Sequence, residues 1–231
     1  MRSPRLGFWL LVLSSGCATA PTARELSDPK LLVAQACEPG AQSQEVRGSI
    51  WMKAVSKDAS GQFPATVTAR APDTLMLEVT NLLGSTQAVI SVQGKKYSVT
   101  VPDKSGNQRK KEGAGSWGGI PLNWASDLFL GRIPCPSQAQ LDGARLSVNE
   151  ESQLVIDIER GEPEKFVYSF RQWAGKAWPE KLHWQRSGKL AATVEFKFDD
   201  PEDRTRSPRK WEAKSALGEV KVRWRDREAT P

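Results

Sequence analysis

His183, the cysteines Cys17, Cys37 and Cys135, and the run Ala114-Gly115-Ser116-Trp117-Gly118 hold most of the reactive potential of this 231-residue sequence. His183 is its single histidine. It has no second imidazole to share a metal, and alternation puts it, beside Trp184, on the solvated face of a strand. Ala114–Gly118 has the outline of a nucleophile elbow, but that device needs a strand before it, a helix directly after it and a His–acid pair. Here it follows the basic run Arg109-Lys110-Lys111 and reads as a flexible connection. Asp199-Asp200-Pro201-Glu202-Asp203 has the charge to attract Ca2+ weakly, yet Arg204 to Lys210 follows it, and the stretch reads as a solvated loop. There is no Cys-x-x-Cys pair and no phosphate-cradling glycine loop. The sequence therefore predicts no enzyme, no cofactor and no metal site.

The cysteines carry a different chemistry. Arg2 and Arg5 precede the apolar stretch Leu6–Leu13, small residues Ser14-Ser15-Gly16 follow, and then comes Cys17. This is a secretory signal, too short to serve as a membrane span. The small residues ending on cysteine resemble the bacterial lipobox, in which that cysteine carries acyl chains (palmitate). Ser14 departs from the pattern, since an aliphatic residue is usual three places before the cysteine. A signal cut near Ala18 or Ala20 is the alternative. Residues 1–16 are thus expected to be removed and 17–24 to be a flexible tether. In an oxidising compartment Cys37 and Cys135 form an even pair, either as a disulfide closing a loop of about 100 residues or as two buried thiols.

Charge excludes little beyond nucleic acid, which an export signal already disfavours. Of 33 Lys+Arg, two lie in the leader, so 31 remain against 27 Asp+Glu, net +4. The excess gathers at Lys95-Lys96, Arg109–Lys111 and Arg204–Lys210, where it can draw anionic headgroups or an acidic partner. Nine tryptophans suggest a large lined interior or contact with a membrane interface.

The elements that hold these groups are mostly strands. Apolar residues alternate through 46–54, 63–69, 75–79, 87–92 and 97–101, and again through 154–158, 166–170, 182–184, 190–198 and 220–224. That period marks antiparallel strands with one buried face. Ten or eleven such strands cannot stay flat. Two helices interrupt them. Glu25–Cys37 has Ser27 or Asp28 as a cap, Pro29 in its first turn and Pro39-Gly40 beyond its end. Pro121–Gly131 has Leu122, Ala125 and Leu128-Phe129 at helical spacing, Asn123 as a cap and Gly131 as a stop. Strand parity aims Ile50, Met52, Phe63, Val67, Leu75, Leu77, Phe166, Tyr168, Phe170, Val194 and Phe196 inward. If the helices leave space there, the result is an apolar cavity. An empty one costs about 24 cal/mol per Å3, so it implies a ligand; a well-filled core is the alternative.

Two short stretches carry a family resemblance. Leu77-Glu-Val-Thr-Asn-Leu-Leu-Gly-Ser-Thr86, and then Gly119-Ile-Pro-Leu-Asn-Trp-Ala-Ser-Asp-Leu-Phe-Leu-Gly-Arg-Ile-Pro134, resemble the LolB family of outer-membrane lipoprotein receptors. That family has a strand ending in Thr-Asn-Pro-Leu-Gly-Ser and an Ile-Pro-Leu start to a central helix. The likeness spans roughly Val46 to Trp184. It implies a mainly β fold: an unclosed, strongly curved antiparallel barrel, with an N-terminal and a central helix covering a hydrophobic cavity. It implies a domain over 25–231, of which about 199–231 extends past the usual family end. It also implies passive receipt of acylated lipoproteins from a LolA-like periplasmic carrier and their insertion into outer-membrane lipid, by a monomer anchored at the outer membrane and facing the periplasm. Leu83 aligns with the family's protruding leucine, and Leu82 replaces a proline, so both are candidate membrane-insertion residues. A structural lipoprotein of the envelope with the same fold, or a binder of another amphiphile, remain the alternatives.

Overall fold

In the computed structural model the described residues are 28–37, 44–56, 60–103, 108–173, 176–198 and 208–230. Cys17, the leader, the tether, residues 25–27, Pro39-Gly40, residues 57–59 and 104–107, and the charged stretch 199–207 lie outside them.

The alternating stretches do become strands. In chain order they begin with β1 (Glu45–Ser56), β2 (Ser60–Arg70), β3 (Thr74–Thr80), β4 (Thr86–Gln93), β5 (Lys96–Pro102) and β6 (Gln108–Ala114). A small hairpin follows, β7 (Ser116–Trp117) and β8 (Ile120–Pro121). After the helices come β9 (Arg145–Val148), β10 (Leu154–Ile158), β11 (Glu164–Trp173), β12 (Lys176–Arg186), β13 (Lys189–Lys197), β14 (Lys210–Ser215) and β15 (Gly218–Thr230). All but the hairpin join one 13-stranded sheet in the order β6-β5-β4-β3-β2-β1-β15-β14-β13-β12-β11-β10-β9. Every neighbour pair is antiparallel. The sheet is not closed: β6 and β9 are its edges.

Three strands exceed the ten that alternation marks: β6, β9 and β14. The basic run Arg109–Lys111 is an edge strand rather than a loop, pairing Val101 with Arg109 and Val99 with Lys111. Its charge suits an edge, because lysine and arginine discourage pairing with a second chain. The C-terminal stretch is a full member of the sheet. β15 pairs with β1 along nearly its whole length, so the chain's first and last strands form the seam between two six- and seven-stranded halves. A Cβ at Gly48 would strike the Asp226 carbonyl across that seam, which explains the glycine.

The helices cover the concave face. α1 (Pro29–Cys37) packs on β9, β10 and β12, burying Leu32 and Ala36. Asp28 caps it, its Oδ1 accepting from the Lys30 N–H at 2.9 Å. The disulfide Cys37–Cys135, with Cα atoms 5.6 Å apart, ties its end to the middle of the chain. The central segment is a 3-10 turn (Leu122–Trp124) leading into α2 (Ala125–Leu130), which packs on β1, β2 and β3. Asn123 is not its cap; Trp124 occupies that position without a side-chain bond, because the 3-10 turn already satisfies the entering amides. Gly131, at φ 78°, closes the helix. α3 (Gln138–Leu141) follows, with a capping box of Ser137 and Gln140.

Candidate functional site

The concave faces of the two halves differ in what covers them. Over β9–β13 the interior is filled. Tyr168 is fully buried and its hydroxyl donates to the Pro134 carbonyl at 2.9 Å. Burial raises its pKa well above the phenol's usual value. Trp124 meets Trp184 edge-on at 4.9 Å. Over β1–β4, α2 and the β7–β8 hairpin stand off the sheet and leave a cavity of about 350 Å3.

Its wall comes from Met52 of β1, Phe63 of β2, Leu75 and Leu77 of β3, Leu128 and Phe129 of α2 and Trp211 of β14. The hairpin adds Trp117, Gly118, Ile120 and Pro121. The polar members Ser56, Ser60 and Glu219 belong to strand ends, so they mark the mouth. Phe129 packs edge-on against Trp211, ring centroids 5.2 Å apart. The Trp211 indole is buried and its N–H has no hydrogen-bond partner among the described residues. The Ser126 hydroxyl donates to the Pro72 carbonyl at 2.9 Å and fixes α2 to the β2–β3 turn. On the far side, Ser215 donates to the Gly118 carbonyl at 2.5 Å and latches the hairpin to β14.

Of the eleven residues that parity aims inward, Met52, Phe63, Leu75 and Leu77 lie on this wall. The other seven do not. Ile50, Val67, Phe166, Tyr168, Val194 and Phe196 are buried in the packed core, and Phe170 is partly buried against it. For Phe166, Tyr168, Phe170, Val194 and Phe196 the physical reason is cover: α1 and the segment after Gly131 occupy the concave face of the second half, whereas Ile50 and Val67 sit on β1 and β2, where α2 packs on the sheet. Leu128 and Phe129 were visible as an apolar helical face, whereas Trp117 and Trp211 sat in stretches whose pairing the sequence did not reveal.

Leu82 and Leu83, at 82% and 91% exposure, are the tip of the β3–β4 turn. The turn is held without the proline. Asn81 Oδ1 accepts from the N–H groups of Leu83 and Ser85, both at 2.9 Å. Gly84 takes the left-handed conformation at φ 85°, and its N–H reaches the Asn81 carbonyl at 3.0 Å. An Asx turn therefore presents two leucines to solvent. His183 pairs across Val167 and Thr193 on the outer face, remote from the cavity wall.

α2 also carries a largely buried carboxyl, Asp127, which is not part of the cavity lining. Burial raises the Asp127 carboxyl from 3.8 to about 6, with Arg132 opposing. A raised carboxyl keeps its proton in the fold after the unfolded chain has lost it. Stability from this group is therefore greatest below about pH 4 and declines through pH 4–6, by up to about 3 kcal/mol. Asp127→Asn is expected to abolish that decline and to stabilise the chain by about 1–2 kcal/mol at pH 7.5, read from denaturant midpoints across pH.

No protein-family profile matches the sequence, and no curated protein matches it in sequence. Solved structures share the fold. The crystal structure of a LolA superfamily protein from Nitrosomonas europaea matches with a TM-score of 0.51 at 12% identity, covering 88% of this chain and 94% of that one. A DUF1329 family protein from Desulfovibrio piger matches with a TM-score of 0.50 at 9% identity, covering 89% and 92%. At such identities the likeness is one of fold.

Proposed function

We propose that the chain is a LolB-like receptor, lipidated at Cys17 and facing the periplasm from the outer membrane. It takes acylated lipoproteins from a LolA-like carrier into the cavity under α2 and passes them to outer-membrane lipid through the Leu82-Leu83 tip. The observation that carries this reading is the apolar cavity of about 350 Å3 between β1–β3, α2 and the hairpin. Its size is at the small end of ligand pockets, roughly 300–1,000 Å3. The LolA superfamily fold supports it, as do the motifs around Asn81 and Pro121.

No covalent step is required. Each methylene removed from water contributes about 0.8 kcal/mol, so an acyl chain is held by a dry wall alone. Transfer from the carrier then requires only that this cavity be the more favourable site.

The test fills the mouth. Ala54 lines the cavity near the end of β1 and is incompletely buried. Ala54→Trp is expected to weaken binding of a fluorescent fatty acid by about tenfold or more, the loss of roughly 1.4 kcal/mol, while the melting temperature holds. Unchanged affinity would favour the envelope-protein alternative, in which the cavity has no ligand.

A further inference from the structure

Among the described residues the large apolar side chains left exposed are Leu31, Val55, Met76, Leu82, Leu83, Val101, Trp117, Leu190 and Leu217. Their distribution is one-sided. The strand register puts the β1–β2, β3–β4, β5–β6, β10–β11, β12–β13 and β14–β15 connections on one edge of the sheet; of these, β10–β11 carries no large exposed apolar side chain among the described residues and adds Glu159 and Glu162. Val55, Leu82-Leu83, Val101, Leu190 and Leu217 all lie in or beside those turns. Ala192 pairs with Ser215, and the same register carried two residues further sets Leu190 across from Leu217. Trp117 joins them: a Cβ on neighbouring Gly119 would stand 3.7 Å from the Leu217 side chain. The opposite edge carries Ala71-Pro72-Asp73, Gly94-Lys95 and 149–153, with no large exposed apolar side chain in those turns.

We infer that this whole edge, and not the Leu82-Leu83 tip alone, is a docking face for a phospholipid bilayer, with the cavity mouth inside its footprint. Val55 and Trp117 belong both to the edge and to the cavity wall. Leu190 and Leu217, 57% and 54% exposed, extend the edge on the far side of the mouth from the tip. The occupant follows from the shape and charge of the patch. Apolar side chains spread singly over successive turns form no pocket for a protein anchor, but each can enter a bilayer on its own. Trp117 at 48% exposure suits the headgroup level. Lys189 beside Leu190, and Arg109 across from Val101, supply cations for anionic headgroups. Docking at this edge lets an acyl chain leave the cavity without crossing water. The docking surface stands independently of the cargo; its use in delivery rests on the reading above.

The test uses the full mature chain with Cys17→Ser, so that no anchor masks docking, and flotation with vesicles of phosphatidylethanolamine and phosphatidylglycerol. Leu190→Glu/Leu217→Glu is expected to lower vesicle binding by about tenfold or more while fatty-acid binding in the cavity is kept. Met76→Glu, on the outer face of β3, is expected to bind vesicles as the native chain does, and Leu217→Trp more tightly. Native-like binding by the double variant, or no vesicle binding by the native chain, overturns the docking face. If docking behaves as expected but no form binds fatty acid, the docking face stands and the receptor function falls.

Discussion

On the receptor function proposed above, a Leu82→Glu/Leu83→Glu variant is expected to accept cargo from the carrier undiminished and to deliver it to bilayers slower by about two orders of magnitude. Each leucine moved from water into hydrocarbon contributes about 1.5–3 kcal/mol, so losing both removes some 3–6 kcal/mol, a factor of a hundred or more in a step that depends on insertion. Glutamate adds the cost of bringing charge to an apolar phase. The substitution leaves the cavity wall untouched. Both side chains point into solvent, and neither lies on the cavity wall. The turn itself is held by Asn81 and Gly84, whose bonds use the backbone of residues 83–85 and survive the change. Carrier-to-receptor transfer and receptor-to-vesicle transfer, followed separately with one acylated lipoprotein, read the two steps. Loss of acceptance would assign the leucines to cargo capture instead.

The second large effect concerns stability. Cys37 and Cys135 are 98 residues apart, and cross-linking a loop of about that length is worth up to ~4.7 kcal/mol in the chain-entropy model. Cys37→Ser is expected to lower unfolding free energy by about 4 kcal/mol, measured by chemical denaturation. A reductant should do the same to the native chain and nothing to the variant. α1 buries only Leu32 and Ala36, so packing alone holds it weakly, and the disulfide keeps it over β9, β10 and β12. No residue of α1, β9, β10 or β12 lines the cavity, so ligand affinity of the folded variant should be unchanged. A loss below about 1 kcal/mol would show that the unfolded chain is little constrained by the bridge.

The curved sheet was legible because burial on one face imposes a period of two, and ten strands carry it. β6 was not, since Gln108–Ala114 is solvated on both faces and is a strand only through its pairing with β5. β9 is four residues long, and β14 holds only Trp211 and Ala213 as buried positions. The candidate site divides along a similar line. Parity reports which face a residue takes, and it correctly turned Ile50, Val67, Tyr168, Val194 and Phe196 inward. It does not report what covers that face. The cover depends on α1 being drawn across one half by a contact between positions 37 and 135, and on α2 standing off the other. Asn123 misled for a local reason: its capping chemistry is right for a helix, but a 3-10 turn precedes α2 there.

The most direct measurement of acyl binding is photo-crosslinking. An acylated lipoprotein with a diazirine at mid-chain is loaded from the carrier onto this protein and irradiated, and the adducts are mapped by mass spectrometry. Adducts on Met52, Phe63, Leu75, Leu77, Leu128 and Phe129 are the expected result. Adducts confined to surface residues such as Met76 and Leu31, or none at all, would contradict an acyl-binding cavity under α2.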